Sequence, residues 1–477
     1  MPRQKTYFIG IGGAGMSGLA HVLLDSGEDV AGSDLAESAA TARLAQKGAR
    51  IYIGHDEAHI AREAPDVVVY SSAVPADNPE LRYARRAGIP VLARGEMLAR
   101  LMNSRKGIAV AGTHGKTTVT SMIALVLERS GADPTLVVGG EMRDLGTNAK
   151  AGRGEYFVAE ADESDRSFLH LAPVIAVVTN IDADHLEHYE GIDDIVAAFR
   201  AFLEKLPREG VAVVCGDDAN AVRAAPEHCR VVTYGLNGDY DYTADGIELL
   251  PFGSRFTVKT REGVLGPVTL RVPGRHNIAN ALAAVAAARA AGFTFEQAAA
   301  ALAEFRGAKR RLDVLGEERG VMVIDDYAHH PTEIRATLAA VRNLRRRIVA
   351  VFQPHRYTRT KLLLHELAAS FGDADLVVLT DIYAALEPPI PGVTIDVLAE
   401  QMRAVAGDKV ALVRDLDAVP GFLLAATRPG DVVVTIGAGD VRRAGEAFLT
   451  LARSAPALVA HLTPSAAEGA GVSAEEA

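Results

Sequence analysis

Residues 108–121 read IAVAGTHGKTTVTS, and no other stretch constrains the chain as tightly. Residues 108–111 are apolar and read as a buried strand. Gly112 and Gly115 allow a tight turn, and Lys116-Thr117-Thr118 open a segment with helical periodicity that stops at Gly131. A strand feeding a glycine turn into a helix N-terminus is an anion site, because unpaired backbone N–H groups and the positive end of the helix dipole both face the turn. Lys116 adds a mobile full charge for phosphates, and the Thr117 hydroxyl can reach a Mg²⁺ bridging them. The strict P-loop pattern wants glycine where Val110 stands, so G-T-H-G-K-T-T is a shortened variant. An ordinary joint with a surface lysine is the plainer alternative, but Lys followed by two Thr at a helix start serves no packing need. Gly112, Thr113, His114, Gly115, Lys116, Thr117 and Thr118 therefore predict a nucleoside triphosphate site.

A chain of 477 residues has room for about three domains. Before the P-loop, residues 6–11 predict a strand running into G10-I-G-G-A-G15 and a helix over 16–26, with Asp34 ending the next strand. Gly10, Gly12, Gly13, Gly15 and Asp34 match a dinucleotide-type fingerprint. Further βα units follow at 67–74, with Ser71 and Ser72 at a strand's C-terminal end, and at 90–98 around Arg94. A Rossmann-like domain is expected over residues 1–105.

The central domain, 106–312, is expected to be a P-loop ATPase-type parallel sheet. Residues 156–165 (YFVAEADESD) predict a strand ending in acids, and 173–189 another ending in Asn180, Asp182, Asp184 and His185. Three strands then end in phosphate- or metal-friendly groups, on the side where open parallel sheets gather ligands. Residues 231–272 read as a small β-rich lobe, a helix starts near Asn277, and 307–317 read as a hinge. Strands and helices alternate again over 313–455, a Rossmann-like C-terminal domain, and 456–477 predict a disordered tail. The fold class is α/β throughout.

A net charge of −11 argues against a nucleic-acid-binding face. Cys215 and Cys229 are too far apart for C-x-x-C and make no disulfide framework. The N-terminus lacks a signal-peptide core, and no apolar run is long enough for membrane insertion. A cytoplasmic location is the expectation.

Thr117, Glu160 and His185 offer a hydroxyl, a carboxylate and an imidazole, a set able to hold two divalent cations, Mg²⁺ or Mn²⁺. Taken singly, Glu160 reads as a loop charge and His185 as a surface histidine; Asp184 beside His185 and the strand order favour function. Asp325-Asp326 and His329-His330, and the basic run with Arg356 and Arg359, follow strands of the third domain. Charge runs usually mark solvated faces, but these are placed to face a nucleotide or substrate.

G-I-G-G-A-G-M-S-G, A-G-T-H-G-K-T-T, E-A-D-E-S-D, T-N-I-D-A-D-H-L-E, G-R-H-N-I-A-N-A, D-D-Y-A-H-H-P-T-E and F-Q-P-H-R-Y-T-R-T occur in one order across nearly the whole chain. In this the chain resembles the Mur ligases, nearest the branch that adds L-alanine to UDP-N-acetylmuramate. The resemblance implies an ATP-dependent amide ligase working through an acyl phosphate in peptidoglycan precursor synthesis. It assigns Lys116 to the phosphates, Thr117 and Glu160 to one cation and His185 to a second. It assigns Asn277 and Asn280 to adenine, and Arg310, Asp326, His329 and His330 to closure on the nucleotide. Arg356 and Arg359 would stabilise transferring phosphate or bind a carboxylate, and the Gly10–Gly15 loop, with Ser71, Ser72 and Arg94, would hold the UDP-sugar. Several family members carry a carbamylated lysine where alignment on Asp184-His185 puts Phe199. Alternatives are the paralogue that joins a tripeptide to the same sugar nucleotide, an NAD-dependent oxidoreductase, and a regulatory P-loop NTPase. The last two leave one of the glycine loops without a purpose.

Overall fold

The computed structural model describes residues 3–186 and 188–454. The expected tail at 456–477 lies outside them.

The first sheet holds β1 (Lys5–Ile9), β2 (Asp29–Asp34), β3 (Arg50–Ile53), β4 (Val67–Tyr70) and β5 (Val91–Ala93). All are parallel, in the order β3-β2-β1-β4-β5. The order reverses beside β1, so the Gly10–Gly15 loop sits at the switch point where such sheets bind ligands.

The central sheet has ten strands: β6 (Lys106–Ala111), β7 (Thr135–Met142), β8 (Thr147–Lys150), β9 (Tyr156–Glu160), β10 (Ile175–Val178), β11 (Val211–Cys215), β12 (Arg230–Gly235), β13 (Tyr242–Leu250), β14 (Gly253–Thr260) and β15 (Gly263–Leu270). Its order is β15-β14-β13-β12-β11-β10-β6-β9-β7-β8. The P-loop strand β6 lies between β10 and β9, both parallel to it, and its own residues 108–111 are fully buried. Strands buried on both faces read as continuous apolar runs, which is why this one was legible. The β-rich lobe is a continuation of this sheet: β12 pairs in parallel with β11, β13 joins β12, and β14 and β15 extend the edge as antiparallel hairpins.

The third sheet comprises β16 (Asp313–Glu318), β17 (Val321–Asp326), β18 (Ile348–Phe352), β19 (Leu376–Leu379), β20 (Val410–Leu412) and β21 (Val432–Ile436), ordered β16-β17-β21-β18-β19-β20. It is parallel except for the antiparallel edge strand β16.

Two strands stop earlier than their sequences suggest. After Glu160 the acidic run turns, because the Asp162 carboxylate accepts from Ser164 N and Oγ at 3.1 and 2.7 Å and that of Asp165 from Ser167 N at 2.9 Å. Such side-chain capture of nearby N–H groups competes with a ladder. The segment after Val178 leaves the sheet to bond the P-loop instead. The helix expected near Asn277 spans Arg275–Ala290, and the first helix spans Ala14–Asp25.

Candidate active site

Strand ends β10, β6 and β9 are neighbours, and their loops interlock. Thr113 N donates to Asn180 O at 3.0 Å and His114 N to Asn180 Oδ1 at 2.8 Å. Thr179 Oγ1 donates to His114 O at 2.6 Å, and Asp182 N to Thr113 Oγ1 at 2.9 Å. Thr-Asn-Ile-Asp is thus the brace of the phosphate loop. Gly112 has φ +141°, and a Cβ there would lie 1.9 Å from Thr179 Oγ1; at Gly115, φ +82°, a Cβ would lie 2.9 Å from Asn280 Oδ1. Both conformation and space require glycine.

Lys116 Nζ is drawn into the loop, bonded to Gly112 O at 2.6 Å, Thr113 O at 3.1 Å and Glu163 Oε1 at 2.7 Å. Burial opposes its charge, but Glu163, Glu160 and Asp162 hold the ammonium protonated above the ordinary lysine range. Thr117 Oγ1 donates to Glu160 Oε1 at 3.2 Å, while Glu160 Oε2 accepts from Gly139 N at 2.8 Å. A hydroxyl and a fixed carboxylate at that spacing suit a hard cation such as Mg²⁺ or Mn²⁺. His185, in the left-handed region at φ +54°, lies apart from this pair, with Nε2 3.7 Å from Asp184 Oδ2 and 4.0 Å from Glu163 Oε1. Phe199 is fully buried against Phe168, ring centroids 5.1 Å apart, and serves the core.

One metal-type cluster of three side chains occurs among the described residues, and it is His114, Asp182 and His330. Burial works against charge on His114, but bonds from its two nitrogens to Asp182 (3.2 Å) and Glu333 (3.5 Å) push its pKa up to about 9. With His114 protonated, its pairing with Asp182 and Glu333 makes an ionic latch between the central and C-terminal domains. Thr332 Oγ1 donates to Asp182 Oδ2 at 2.8 Å across the same seam.

A cavity of about 550 Å³ opens from the P-loop between the central and C-terminal domains. Gly115, Thr117 and Thr118 line it, as do Asn277, Asn280 and Asp326. Asn280 Nδ2 donates to Asn277 Oδ1 at 3.1 Å, which fixes both amides on one helix face. Burial pushes Asp326 up to about 6, with its carboxylate accepting from Leu312 N and Ala328 N.

Arg310 is placed differently from expectation. Its guanidinium is spent on the C-terminal domain, on Asp325 Oδ2 at 3.2 Å and Gly437 O at 2.7 Å, while the next residue, Arg311, lines the cavity. His329 and His330 also lie off the cavity wall. His329 sits beside His355, ring centroids 5.9 Å apart, and burial pushes its pKa down to about 4.

Arg359 bonds Asp184 across the domain seam, Nη2 to Oδ1 at 3.2 Å, and is almost fully buried. Although burial opposes it, Arg359 with the neighbouring histidines holds the Asp184 carboxyl well below its usual range. Arg356 caps the short helix Tyr357–Leu362 with φ +71°, its N–H bonded to Tyr383 O at 2.8 Å. A non-glycine residue held there marks a site whose surroundings over-determine it. Both arginines line a narrow crevice with Asp184 and His185.

On the other flank, Gly10 N and Ile11 N bond Ser33 O, and Gly12 N donates to Asp34 Oδ2 at 2.7 Å, so Asp34 braces the loop from within. Gly13 N closes the turn on Gly10 O at 3.2 Å. Ser71 packs on Gly10, and Ser72 is exposed. Arg94 lies over Gly15, where a Cβ would approach its Cδ to 2.9 Å, and reaches Asp162 at 2.7 Å. It links the first glycine loop to the acidic turn after β9.

Sequence reasoning passed over Arg311, Glu163, Glu333 and His355. All four stand inside or beside quoted motifs, but nothing local distinguishes a residue that faces the site from its neighbour.

Family models match in three consecutive blocks: "Mur ligase family, catalytic domain" over residues 5–106, "Mur ligase middle domain" over 110–288 and "Mur ligase, glutamate ligase domain" over 310–439. The UDP-N-acetylmuramate–L-alanine ligase of Geotalea daltonii is 49% identical over 455 residues, covering 95% of this chain and 99% of that protein. That of Pelotomaculum thermopropionicum is 50% identical over 446 residues, 93% and 96% of the two chains. Among solved structures, the UDP-N-acetylmuramate–alanine ligase of Thermotoga maritima superposes with TM-score 0.81 at 30% identity, over 95% of this chain and 100% of that one. A murein peptide ligase from Psychrobacter arcticus gives TM-score 0.71 at 26% identity, again over 95% and 100%.

Proposed function

This chain belongs to the Mur ligase family, and from that premise we propose that it joins L-alanine to the lactyl carboxylate of UDP-N-acetylmuramate with cleavage of ATP, a step of peptidoglycan precursor synthesis. The observation that carries the reading is the placement of one phosphate loop between a second glycine loop, reached through Arg94 and Asp162, and a pair of arginines, reached through Asp184.

In the first half-reaction a lactyl carboxylate oxygen attacks the γ-phosphorus of ATP. The bond to ADP breaks and an acyl phosphate forms. Lys116 leaves Glu163 for the β- and γ-phosphates, and the N–H groups at 113–118 receive the charge that spreads onto the phosphoryl oxygens. A divalent cation, Mg²⁺ or Mn²⁺, would neutralise those oxygens, one held by Thr117 and Glu160 and a second by His185.

In the second half-reaction the free amine of L-alanine attacks the acyl carbon. The C–N bond forms, the nitrogen loses a proton, and the C–O bond to phosphate breaks. Arg356 and Arg359 suit the planar carboxylate of alanine and the oxygens of departing phosphate. Asn277, Asn280, Asp326 and Arg311 line the nucleotide pocket, while the Gly10–Gly15 loop, Ser71, Ser72 and Arg94 face the UDP-sugar. His329 and His330 support the arginine side and the latch. Closure of the C-terminal domain keeps water from the acyl phosphate. Both cysteines are free, and no described helix is long and apolar enough to cross a membrane.

Phosphate release from ATP with Mg²⁺, across amino acids and the tripeptide, tests this. Release requiring both UDP-N-acetylmuramate and L-alanine is expected. A preference for the tripeptide would move the activity to the recycling reaction, and release indifferent to the sugar nucleotide would overturn the assignment of the first domain.

A further inference from the structure

Glu163 is the least explained charge in the site. It is 2% exposed, and its Oε2 has no hydrogen-bond partner among the described residues. A buried carboxylate oxygen left in this state carries a substantial desolvation cost unless something arrives to bind it. Its backbone is rigidly placed, with Tyr189 Oη donating to Glu163 O at 2.5 Å and Arg166 N to the same oxygen at 3.0 Å. The other carboxylate oxygen faces Lys116 Nζ at 2.7 Å and His185 Nε2 at 4.0 Å. Glu163 Oε1 therefore lies between an ammonium and an imidazole, with Lys116 supplying the positive charge beside it.

Two ligands of one small divalent cation lie roughly 3 to 4 Å apart, given metal–ligand bonds of about 2.1 Å. The Glu163–His185 spacing falls in that range. Glu160 does not join them, since no described cluster brings it within ligand distance of both. We propose that Glu163 is the protein carboxylate of the second cation site, shared with His185, and that Lys116 occupies its charge until nucleotide phosphates draw the lysine away. Phe199 is buried in the core and offers no ligand; Glu163 supplies a carboxylate from the turn after β9. The exchange also couples the two events: Lys116 turns to phosphate as Glu163 turns to metal.

The inference rests on the ligase reading but is tested separately, by counting Mn²⁺ with electron paramagnetic resonance. With a non-hydrolysable ATP analogue and UDP-N-acetylmuramate, the wild-type chain should take up two Mn²⁺. Glu163→Gln keeps the shape and an acceptor for Lys116, and should weaken one of the two by roughly tenfold or more at unchanged Tm. With Mn²⁺ alone and no nucleotide, Lys116→Met should bind Mn²⁺ more tightly than wild type, and adding Glu163→Gln should abolish the gain. Two ions bound with unchanged affinity by Glu163→Gln, a single ion in wild type, or no gain in Lys116→Met would each overturn the proposal. Phosphate release indifferent to the sugar nucleotide would overturn the function instead, and the Mn²⁺ alone measurement would still decide Glu163.

Discussion

Where the N-terminal domain meets the central one, Met97 and Leu98 share an apolar cluster with Val137, Ala149 and Phe168, and Gly18 and Gly95 let backbones approach. Where the C-terminal domain meets it, the contacts are Asp184 with Arg359, Asp182 with Thr332 and His114 with Glu333. The first seam removes apolar surface from water. The second consists of charge pairs and a hydroxyl–carboxylate hydrogen bond, which water can replace when the domains part. One seam is built of apolar packing, and the other of polar contacts that the proposed closure would make and break.

That contrast is broken most severely at Phe168, 1% exposed, edge-on to Phe199 and stacked on Phe202. Phe168→Ala should cost about 3–5 kcal/mol of stability, seen in denaturant unfolding, while kcat of the folded fraction changes little. A variant that loses kcat and keeps Tm would invert the assignment of the two seams. Arg359→Ala should do the opposite: kcat falls by about 10²–10³-fold with Tm little changed, and scattering with ATP analogue and UDP-sugar no longer shows a smaller radius of gyration. Thr332→Val removes one hydrogen bond of the latch, worth about 0.5–1.5 kcal/mol, and should raise the KM for ATP by a few-fold without altering Tm.

The smallest effect is one of pH. In the closed seam the His114 pKa lies at about 9, above its ordinary value near 6.5. A raised pKa stabilises the state that holds the proton, so the contribution of His114 to closure is complete below about 6.5 and is lost as pH rises through about 9. The radius of gyration of the ligand-bound protein should grow over that alkaline range, and His114→Asn should flatten the change. An unchanged profile in that variant would remove His114 from the latch.

Much of the site was legible because its signals are local. Gly112 and Gly115 announce a turn, and Lys116, Thr117 and Thr118 a helix start, whatever surrounds them. Glu160, Asp182 and His185 were legible for a related reason: each follows an apolar run, and parallel strands deliver their C-terminal ends to one side. The antiparallel extension of the central sheet was harder, because residues 231–272 alternate weakly and do not show which existing edge they join. Arg310 and Arg311 mark the limit. They are adjacent and chemically identical, and what separates them is the φ +60° conformation of Arg310 and its bonds to Asp325 and Gly437.

The sequence by itself determined three α/β units, two glycine loops aimed at anions and the strand ends that carry the acids and His185, since turn and helix-terminus physics acts within a few residues. Only the tertiary structure decided that Arg311 lines the cavity beside the P-loop, that His114 pairs with Asp182 and Glu333 across the seam and that Glu163 lies between Lys116 and His185. Those outcomes depend on burial and on charges brought together from positions far apart in the chain, and burial is a property of the folded whole.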